Sequence, residues 1–387
     1  MATKTNTKIN NKDYYRTTLD LGRDSNGKRI RKQFYGKSKK EAETKKLDFL
    51  EKHRAGVIDK NFYLGETMHS WLYEVVRVGK IKLSSFEKYE GMYRNYFKNS
   101  PLSSILINNI KPLDIQQYYN KLFKDGKSSN SIKNAHKLLK QFFNYCEDSN
   151  YIQNNPTSGK KVIIPKDHNE AKKEVTVFNT EEMKSILNRQ EHSFIKYAAL
   201  ISYATGMRRG EILGLKEKDI DYKENQIHIR RAVVTATKIS EDGKRHKSTY
   251  LSSTKTGSST RDIPLPHGLI PIIKKAIILK KEMVLNGVNI NYEFKDIIFI
   301  SKDGNLINAS NFEKSWIYFL KRCGVEHKKF HSLRHTYATR QFEAGIPVKT
   351  VSKLLGHKST DITLDVYTHV IKQEKEKAID TLQLISE

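Results

Sequence analysis

The chain has 387 residues, which is too long for one ordinary hydrophobic core and predicts two or three domains. Its 70 Lys and Arg residues against 43 Asp and Glu residues leave a formal net charge of +27, so the expected partner is a polyanion. No apolar run approaches the length of a membrane-spanning helix, and the N-terminus lacks the apolar core of a signal peptide. These features argue against a membrane-surface protein and predict a soluble intracellular one.

The two cysteines give no sign of a disulfide framework or a metal site. Cys146 and Cys323 lie far apart in sequence, and no spacing of Cys and His residues is typical of zinc binding. We therefore expect two plain buried thiols.

Residues 1–58 predict a small basic unit of strands followed by one helix. Alternating apolar and polar residues from Asp13 to Phe34 are typical of strands, with a turn-forming stretch between them. Ser38 and Glu41 form a capping box that opens a helix. Residues 1–40 carry 8 Lys and 4 Arg against 3 Asp, a net charge of +9. The unit is therefore either a binder of a DNA groove or a basic structural extension.

Helical periodicity from Phe62 to Asn155 predicts a four-helix module, taken as a domain of residues 59–158. Its aromatic residues recur at helical spacing, which favours core packing over base stacking. The four apolar stripes are Leu64–Val75, Phe86–Phe97, Ile115–Phe123 and Ile132–Phe143. Basic side chains on these helices can still face a phosphate backbone, among them Lys80, Lys82, Lys133, Lys137 and Lys140.

The polar, basic stretch Thr157–Lys173 predicts an interdomain linker, taken as residues 159–173. Residues 174–387 then predict a last domain that is mostly helical with a small sheet. Helices are expected near Leu269–Leu285 and Phe312–Cys323. The segments with strand character are Ile227–Val234, Arg261–Leu265 as the return strand of a hairpin-like sheet, and Ile297–Ile300.

Residues that carry chemistry are concentrated in five short motifs of the last domain. They are ATGMRRGEILGL at 204–215, KTG at 255–257, HSLRH at 331–335, LLGH at 354–357 and DVYTHV at 365–370. His331 and Arg334 share one face if their segment is helical, and His357 follows a Leu-Leu-Gly typical of a helix C-terminus. Arginines, histidines and a tyrosine are side chains able to hold a phosphate and attack it.

Together the five motifs resemble the tyrosine recombinases, the lambda-integrase family, over residues from about 174 to 387. The two preceding units resemble the arm-binding and core-binding domains of integrases from temperate phages and conjugative transposons. The implied fold is multidomain. It comprises a small three-stranded sheet plus helix, an all-α four-helix core-binding domain, and a mainly α catalytic domain with a small β-sheet.

The resemblance implies a site-specific integrase that integrates and excises a mobile genetic element. In such enzymes a tyrosine oxygen attacks a DNA phosphodiester and leaves a 3′-phosphotyrosyl link and a free 5′-hydroxyl; attack by another 5′-hydroxyl reverses the step. Bond energy is kept in the covalent intermediate, so no ATP, metal or other cofactor is implied. Arginine is suited to stabilise the charge of the transition state.

Carried over to this sequence, the resemblance assigns the charged groups of the active site. Arg208 and Arg334 would clamp the scissile phosphate, and Glu211 would orient active-site side chains without reacting. Lys255 would protonate the leaving 5′-oxygen from the tip of a hairpin. Competing lysines also lie in polar loops, at Lys238, Lys244, Lys247 and Lys302.

The same resemblance assigns the proton-transfer groups and the nucleophile. His331 would assist proton transfer at the nucleophile, His357 would hydrogen-bond a phosphate oxygen, and Tyr367 would attack. Other histidines and tyrosines are interpreted as supporting or packing residues, namely His335, His369, Tyr292, Tyr318 and Tyr337.

The implied partners are double-stranded DNA with core and arm attachment sites, a homotetramer assembled on that DNA, and accessory proteins for DNA bending and excision. A helical tail after Tyr367 would dock on a neighbouring protomer. The implied location is the bacterial cytoplasm, in association with the nucleoid. The alternatives are a non-catalytic architectural DNA-binding protein and a type IB topoisomerase, and the sequence leaves open a phage or conjugative-element origin.

Overall fold

The computed structural model describes residues 6–9, 12–23, 29–54, 62–79, 81–166, 175–240, 243–253, 260–357, 359–360 and 363–364. The chain forms two compact units, Met1–Glu170 and Ala171–Glu387. Across the described ranges, no helix has both the length and the apolar character needed to cross a membrane.

The first unit begins with an antiparallel sheet of strand order β1-β2-β3, followed by one helix. These elements are β1 (Thr7–Ile9), β2 (Lys12–Arg23), β3 (Arg29–Gly36) and α1 (Lys39–Arg54). The backbone N–H of Glu41 donates to Ser38 Oγ at 3.2 Å, and the Glu41 carboxylate accepts from the Lys37 backbone at 2.8 Å. The predicted three-stranded sheet plus helix is confirmed.

Four helices build the apolar core of the helical module. They are α2 (Leu64–Ser70), continued by a π-helical stretch at Trp71–Val76, α3 (Leu83–Met92), continued by one at Tyr93–Phe97, α4 (Pro112–Lys124) and α5 (Ser129–Asp148). The predicted aromatic core is confirmed, because Phe97, Tyr119, Phe142 and Phe143 are all 0% exposed. Among the predicted phosphate-facing lysines, Lys82, Lys133, Lys137 and Lys140 are exposed, and Lys80 lies outside the described residues.

The segment after α5 packs against the helical module. Asn155 and Thr157 are each 1% exposed, and the backbone of Ile163 pairs with the Gln116 side chain at 2.7 and 2.9 Å. The first residues of the predicted linker at 159–173 are therefore attached to the module. Its remainder, 167–173, lies outside the described residues.

The second unit is mainly helical. Its helices are α6 (Thr180–Asn188), α7 (Phe194–Thr205), α8 (Arg209–Leu213), α9 (Ile270–Leu285), α10 (Ala309–Arg322), α11 (Ser332–Glu343) and α12 (Val348–Leu355). Trp316 of α10 is fully buried and packs its ring against Phe178, Phe319 and Phe330. The helices expected near residues 269–285 and 312–323 are confirmed as α9 and α10.

Within the described residues of this unit, five strands form two small antiparallel sheets. They are β4 (Ile220–Asp221), β5 (Gln226–Ile229), β6 (Arg231–Ile239), β7 (Arg245–Ser253) and β8 (Arg261–Pro264). One sheet has the order β4-β5-β8, and β6 and β7 form a separate hairpin. The predicted return strand therefore pairs with β5, with Ile263 opposite Ile227.

Two strand predictions were wrong in detail. The single strand expected at Ile227–Val234 is divided at Arg230 between the two sheets, since β5 pairs with β8 and β6 turns into the hairpin. Ile297–Ile300 is not a strand but a buried loop, joined by isolated bridges to Lys216 and Leu306. Its apolar character reflects burial, which is equally compatible with a loop when the backbone finds local partners.

Candidate active site

Arg208 lies at the junction of α7 and α8. Helix α7 ends at Gly206, whose φ of 65° is left-handed, and Arg208 then caps the N-terminus of α8. A Cβ atom at Gly206 would lie 2.6 Å from both the Leu355 and the Tyr337 side chains. Glycine therefore meets two requirements here, the backbone conformation and the close approach of α11 and α12.

Glu211 holds Arg208 at two atoms, and the carbonyl of Gly356 holds it at a third. The Arg208 backbone N–H donates to Glu211 Oε2 at 2.9 Å, and Arg208 Nη1 donates to Oε1 at 2.8 Å. Arg208 Nη2 donates to the carbonyl of Gly356 at 3.0 Å, and 37% of the side chain remains exposed. Glu211 itself is 4% exposed, so a buried carboxylate orients an arginine that still reaches solvent.

Arg334 lies in the first turn of α11 and is 2% exposed. Its Nη1 donates to the carbonyl of Gly206 at 2.8 Å and its Nη2 to that of Leu355 at 2.7 Å. Burial, followed by the charge of Arg208, lowers the pKa of Arg334 to about 9, which leaves it charged at neutral pH. These carbonyls belong to the C-terminal ends of α7 and α12, which favour a cation.

Two of the predicted histidines belong to the same cluster. Partial burial, followed by neighbouring positive charges, lowers the pKa of His331 and of His357 to about 4 each; the charges of Arg334 and Arg208 contribute to both shifts. The His331 ring still reaches solvent. His357 follows the left-handed Gly356 (φ 66°), and its Nδ1 lies 2.7 Å from Thr363 Oγ1. Both rings are therefore neutral at physiological pH.

Lys255 and Tyr367 lie outside the described residues. The β6–β7 hairpin turns between Ser240 and Lys244, where the Ser240 N–H donates to the Lys244 carbonyl at 2.9 Å. Lys255 follows the end of β7 in the sequence, and its predicted position at a hairpin tip stays a prediction. The structure thus brings together Arg208, Glu211, His331, Arg334 and His357 from the predicted set.

Arg261, at the start of β8, belongs to this cluster although sequence reasoning assigned it only to a strand. Its side chain is 8% exposed and donates to both carboxylate oxygens of Glu211, at 3.1 and 2.9 Å. One signal was available in the sequence. Arg261 is two residues from buried Ile263 and so lies on the same face of the strand, where a charge requires a partner.

The model of the Phage integrase family matches residues 174–374, which is more than half of the chain. The chain belongs to the phage integrase family. A second model, for the N-terminal SAM-like domain of phage integrases, matches residues 63–123 within the helical module. The family resemblance expected from the five motifs is therefore confirmed.

A similar protein supports this membership along the whole chain. A tyrosine recombinase XerC-like protein of Caldanaerobacter subterraneus subsp. tengcongensis is 46% identical over 387 residues, with 99% of each chain covered. The chain is accordingly a tyrosine recombinase, an enzyme that breaks and rejoins DNA.

Solved structures of two integrases share the fold. The Tn1549 transposon integrase in complex with transposon right end DNA has a TM-score of 0.64 at 20% identity, covering 80% of this chain and 98% of that chain. A lambda integrase tetramer bound to a Holliday junction has a TM-score of 0.57 at 18% identity, covering 89% and 90%. The predicted multidomain, helix-rich fold with small sheets is confirmed.

Proposed function

We propose that this phage integrase family member integrates and excises a mobile genetic element by site-specific recombination through a 3′-phosphotyrosyl intermediate. The observation that carries the proposal is the convergence of Arg208, Arg334, His331 and His357 at the C-terminus of α12. Arg208 and Arg334 bind adjacent carbonyls there although Arg208 precedes α8 and Arg334 lies in α11. A cluster of cations and neutral imidazoles is what metal-free phosphoryl transfer needs.

The arginines provide the positive field for the transition state. Arg208 is half-buried and supplies guanidinium N–H groups to the non-bridging oxygens of the scissile phosphate. Arg334 lies beneath the surface and adds its charge in an environment with little water, where electrostatic interactions are stronger. Because Glu211 and the carbonyls of α12 fix both side chains before DNA binds, little reorganisation is required during the reaction.

Proton transfers accompany the attack. The Tyr367 oxygen bonds to phosphorus while the bond from phosphorus to the 5′-oxygen breaks; neutral His331 receives the phenolic proton, and Lys255 gives a proton to the leaving 5′-oxygen. With Nδ1 of His357 accepting from the Thr363 hydroxyl, its Nε2–H is the donor left for a phosphate oxygen. Rejoining is the reverse sequence, started by a 5′-hydroxyl of another strand.

The domains divide the recognition of DNA. Residues 1–58 bind arm sites, residues 59–158 and 174–387 each contact the core site, and residues 159–173 link these two regions of the chain. The exposed basic side of α5 supports a phosphate-contacting role for the helical module. Four protomers assemble on two core sites, aided by DNA-bending and excision proteins, in the bacterial cytoplasm at the nucleoid. The lambda integrase tetramer on a Holliday junction supports this stoichiometry.

Covalent trapping tests the proposal. On a nicked suicide substrate carrying the core site, the wild type should form a denaturant-resistant protein–DNA adduct, and Tyr367→Phe should form none because it lacks the attacking oxygen. Tyr318→Phe is the matched control, since Tyr318 is 63% exposed on α10 and is expected to leave the adduct unchanged. An adduct that persists in Tyr367→Phe would identify another nucleophile, and absence of any adduct on DNA that the protein binds would favour an architectural role.

A further inference from the structure

Three consecutive carbonyl groups at the C-terminus of α12 each accept a hydrogen bond from a different arginine. Arg261 Nε donates to Leu354 at 2.8 Å, and the next two carbonyls, of Leu355 and Gly356, accept from Arg334 at 2.7 Å and Arg208 at 3.0 Å. The last carbonyls of a helix have no partner within the helix and form the negative end of its dipole. The C-terminus of α12 therefore binds three arginine side chains.

Glu211 joins two of the three arginines from the other side. Its carboxylate accepts a bidentate pair from Arg261 and a further bond from Arg208 Nη1. Burial alone would raise the pKa of Glu211, but the hydrogen bonds and charge of Arg261, followed by those of Arg208, lower it. Without Arg261, this buried carboxylate would retain only Arg208 as an ion-pair partner within the part of the chain that the structure describes.

We propose that Arg261 is a positioning residue of the recombinase, which holds Glu211 and the end of α12 so that Arg208 presents its guanidinium to the scissile phosphate. The inference rests on the proposed function. Nε, Nη1 and Nη2 of Arg261 are each bonded to Glu211 or Leu354, and the side chain is 8% exposed. Arg261 therefore acts through Arg208 and does not itself contact the DNA.

Strand pairing fixes the backbone of Arg261. It begins β8, and its backbone pairs with Ile229 of the neighbouring strand β5. Its bond to Leu354 spans 93 residues, and its bonds to Glu211 span 50. One side chain on a paired strand thus links α8, which follows Arg208, with α12, which precedes His357.

The first test measures single-turnover cleavage of the suicide substrate by the full-length protein at saturating DNA. Arg261→Gln should slow adduct formation by about 10- to 100-fold, because a misplaced catalytic group costs that order of rate. Its affinity for DNA should change less than about threefold, since no phosphate contact is lost. Arg261→Lys should fall between Arg261→Gln and the wild type, because lysine keeps the charge but not the bidentate geometry.

Arg322→Gln is the matched control. Arg322 makes a bidentate pair with Glu191, at 3.1 and 2.8 Å, in the same unit but without contact to the cluster. It should cleave at the wild-type rate. Thermal melting of each variant identifies any that fail to fold. The double variant Glu211→Gln with Arg261→Gln removes the buried carboxylate together with its Arg261 partner.

The combined variant also tests the route of action. If Arg261 acts through Glu211, adding Arg261→Gln to Glu211→Gln should reduce the cleavage rate by less than about threefold, because coupled residues are non-additive. A full multiplicative loss would contradict the proposal. So would wild-type cleavage by Arg261→Gln.

A modified substrate separates Arg261 from the general acid. In a 5′-bridging phosphorothiolate the leaving group is a thiolate, which departs without a proton because a thiol is far more acidic than an alcohol. Arg261→Gln should stay slow on this substrate; recovery would mean that it acts through Lys255 and would overturn the proposal. No adduct with wild-type protein on either substrate would instead contradict the proposed function itself.

Discussion

The helical module and the second unit bury charge in different ways. Among the described residues of the module, the buried carboxylate is that of Glu90. Its Oε1 atom lies 3.6 Å from Nε of Arg94, whose side chain is half exposed. In the second unit Glu211, Arg261 and Arg334 are all nearly sealed from water. Arg261 donates to Glu211, and Arg334 donates to the carbonyls of Gly206 and Leu355. The module is thus stabilised mainly by apolar packing, whereas part of the second unit's interior is organised by charge.

This difference shows what each interior is built to do. Burying guanidinium groups costs solvation free energy, which Glu211 and the α7 and α12 carbonyls offset. Burial lowers the pKa of Arg334, and repulsion by the charge of Arg208 lowers it further. An anion between them would relieve that repulsion, which is what the proposed phosphate-binding role requires.

The largest effect should come from the apolar interior. Phe142→Ala removes a fully buried ring of α5, and it should lower the unfolding free energy of the helical module by about 3–5 kcal/mol. Denaturant unfolding followed by a probe in the module measures the loss. Leu113→Ala, at a position that is 64% exposed, should change stability little and serves as the control. A loss below about 1 kcal/mol in Phe142→Ala would mean that packing does not dominate this module.

The next effect should come from the charged interior and should appear in rate. Arg208→Ala removes the half-exposed arginine, so single-turnover cleavage should fall by roughly 10²- to 10³-fold, the usual effect of deleting one transition-state donor. Arg340→Ala is the control, because Arg340 makes an exposed pair with Glu343 on α11. Equal rates for the two variants at saturating DNA would remove Arg208 from the phosphate site.

The smallest effect should be a pH dependence of stability. The pKa values of His331 and His357 are about 4 in the fold against 6.5 normally, so the unfolded chain binds more protons between these values. Stability should therefore fall as the pH is lowered from 6.5 to 5, above the range in which carboxylates titrate. His331→Gln combined with His357→Gln should reduce this slope in thermal melts, and an unchanged slope would assign it to other groups.

The helical module could be predicted from sequence because its signals are local. Apolar and aromatic residues recur at helical spacing, and Pro112 and Ser128 mark the starts of α4 and α5. The β6–β7 hairpin escaped prediction because β7 carries Arg245, Lys247 and several Ser and Thr residues that resemble a polar loop. Its backbone pairing, not its side chains, makes it a strand.

The charged cluster could be predicted only in part, and only through the motifs. Local pattern identified Gly356 as a helix end, but the hydrogen bond that its carbonyl accepts from Arg208 spans 148 residues. Arg261 stands in none of the five motifs, and its partners Glu211 and Leu354 lie far away in sequence. Such partnerships depend on tertiary contacts that no periodicity records.

The positions of both Arg208 and Arg334 depend on the backbone at Gly206. A methyl group at this position would act as a wedge between α7 and the pair of α11 and α12, because Tyr337 and Leu355 leave it no room. The displaced backbone carries both the carbonyl that holds Arg334 and, two residues later, Arg208 itself. One added carbon atom would therefore misalign both arginines at once. Substitution at position 206 is thus limited by the geometry of the arginine cluster, although residue 206 contributes no side chain to it.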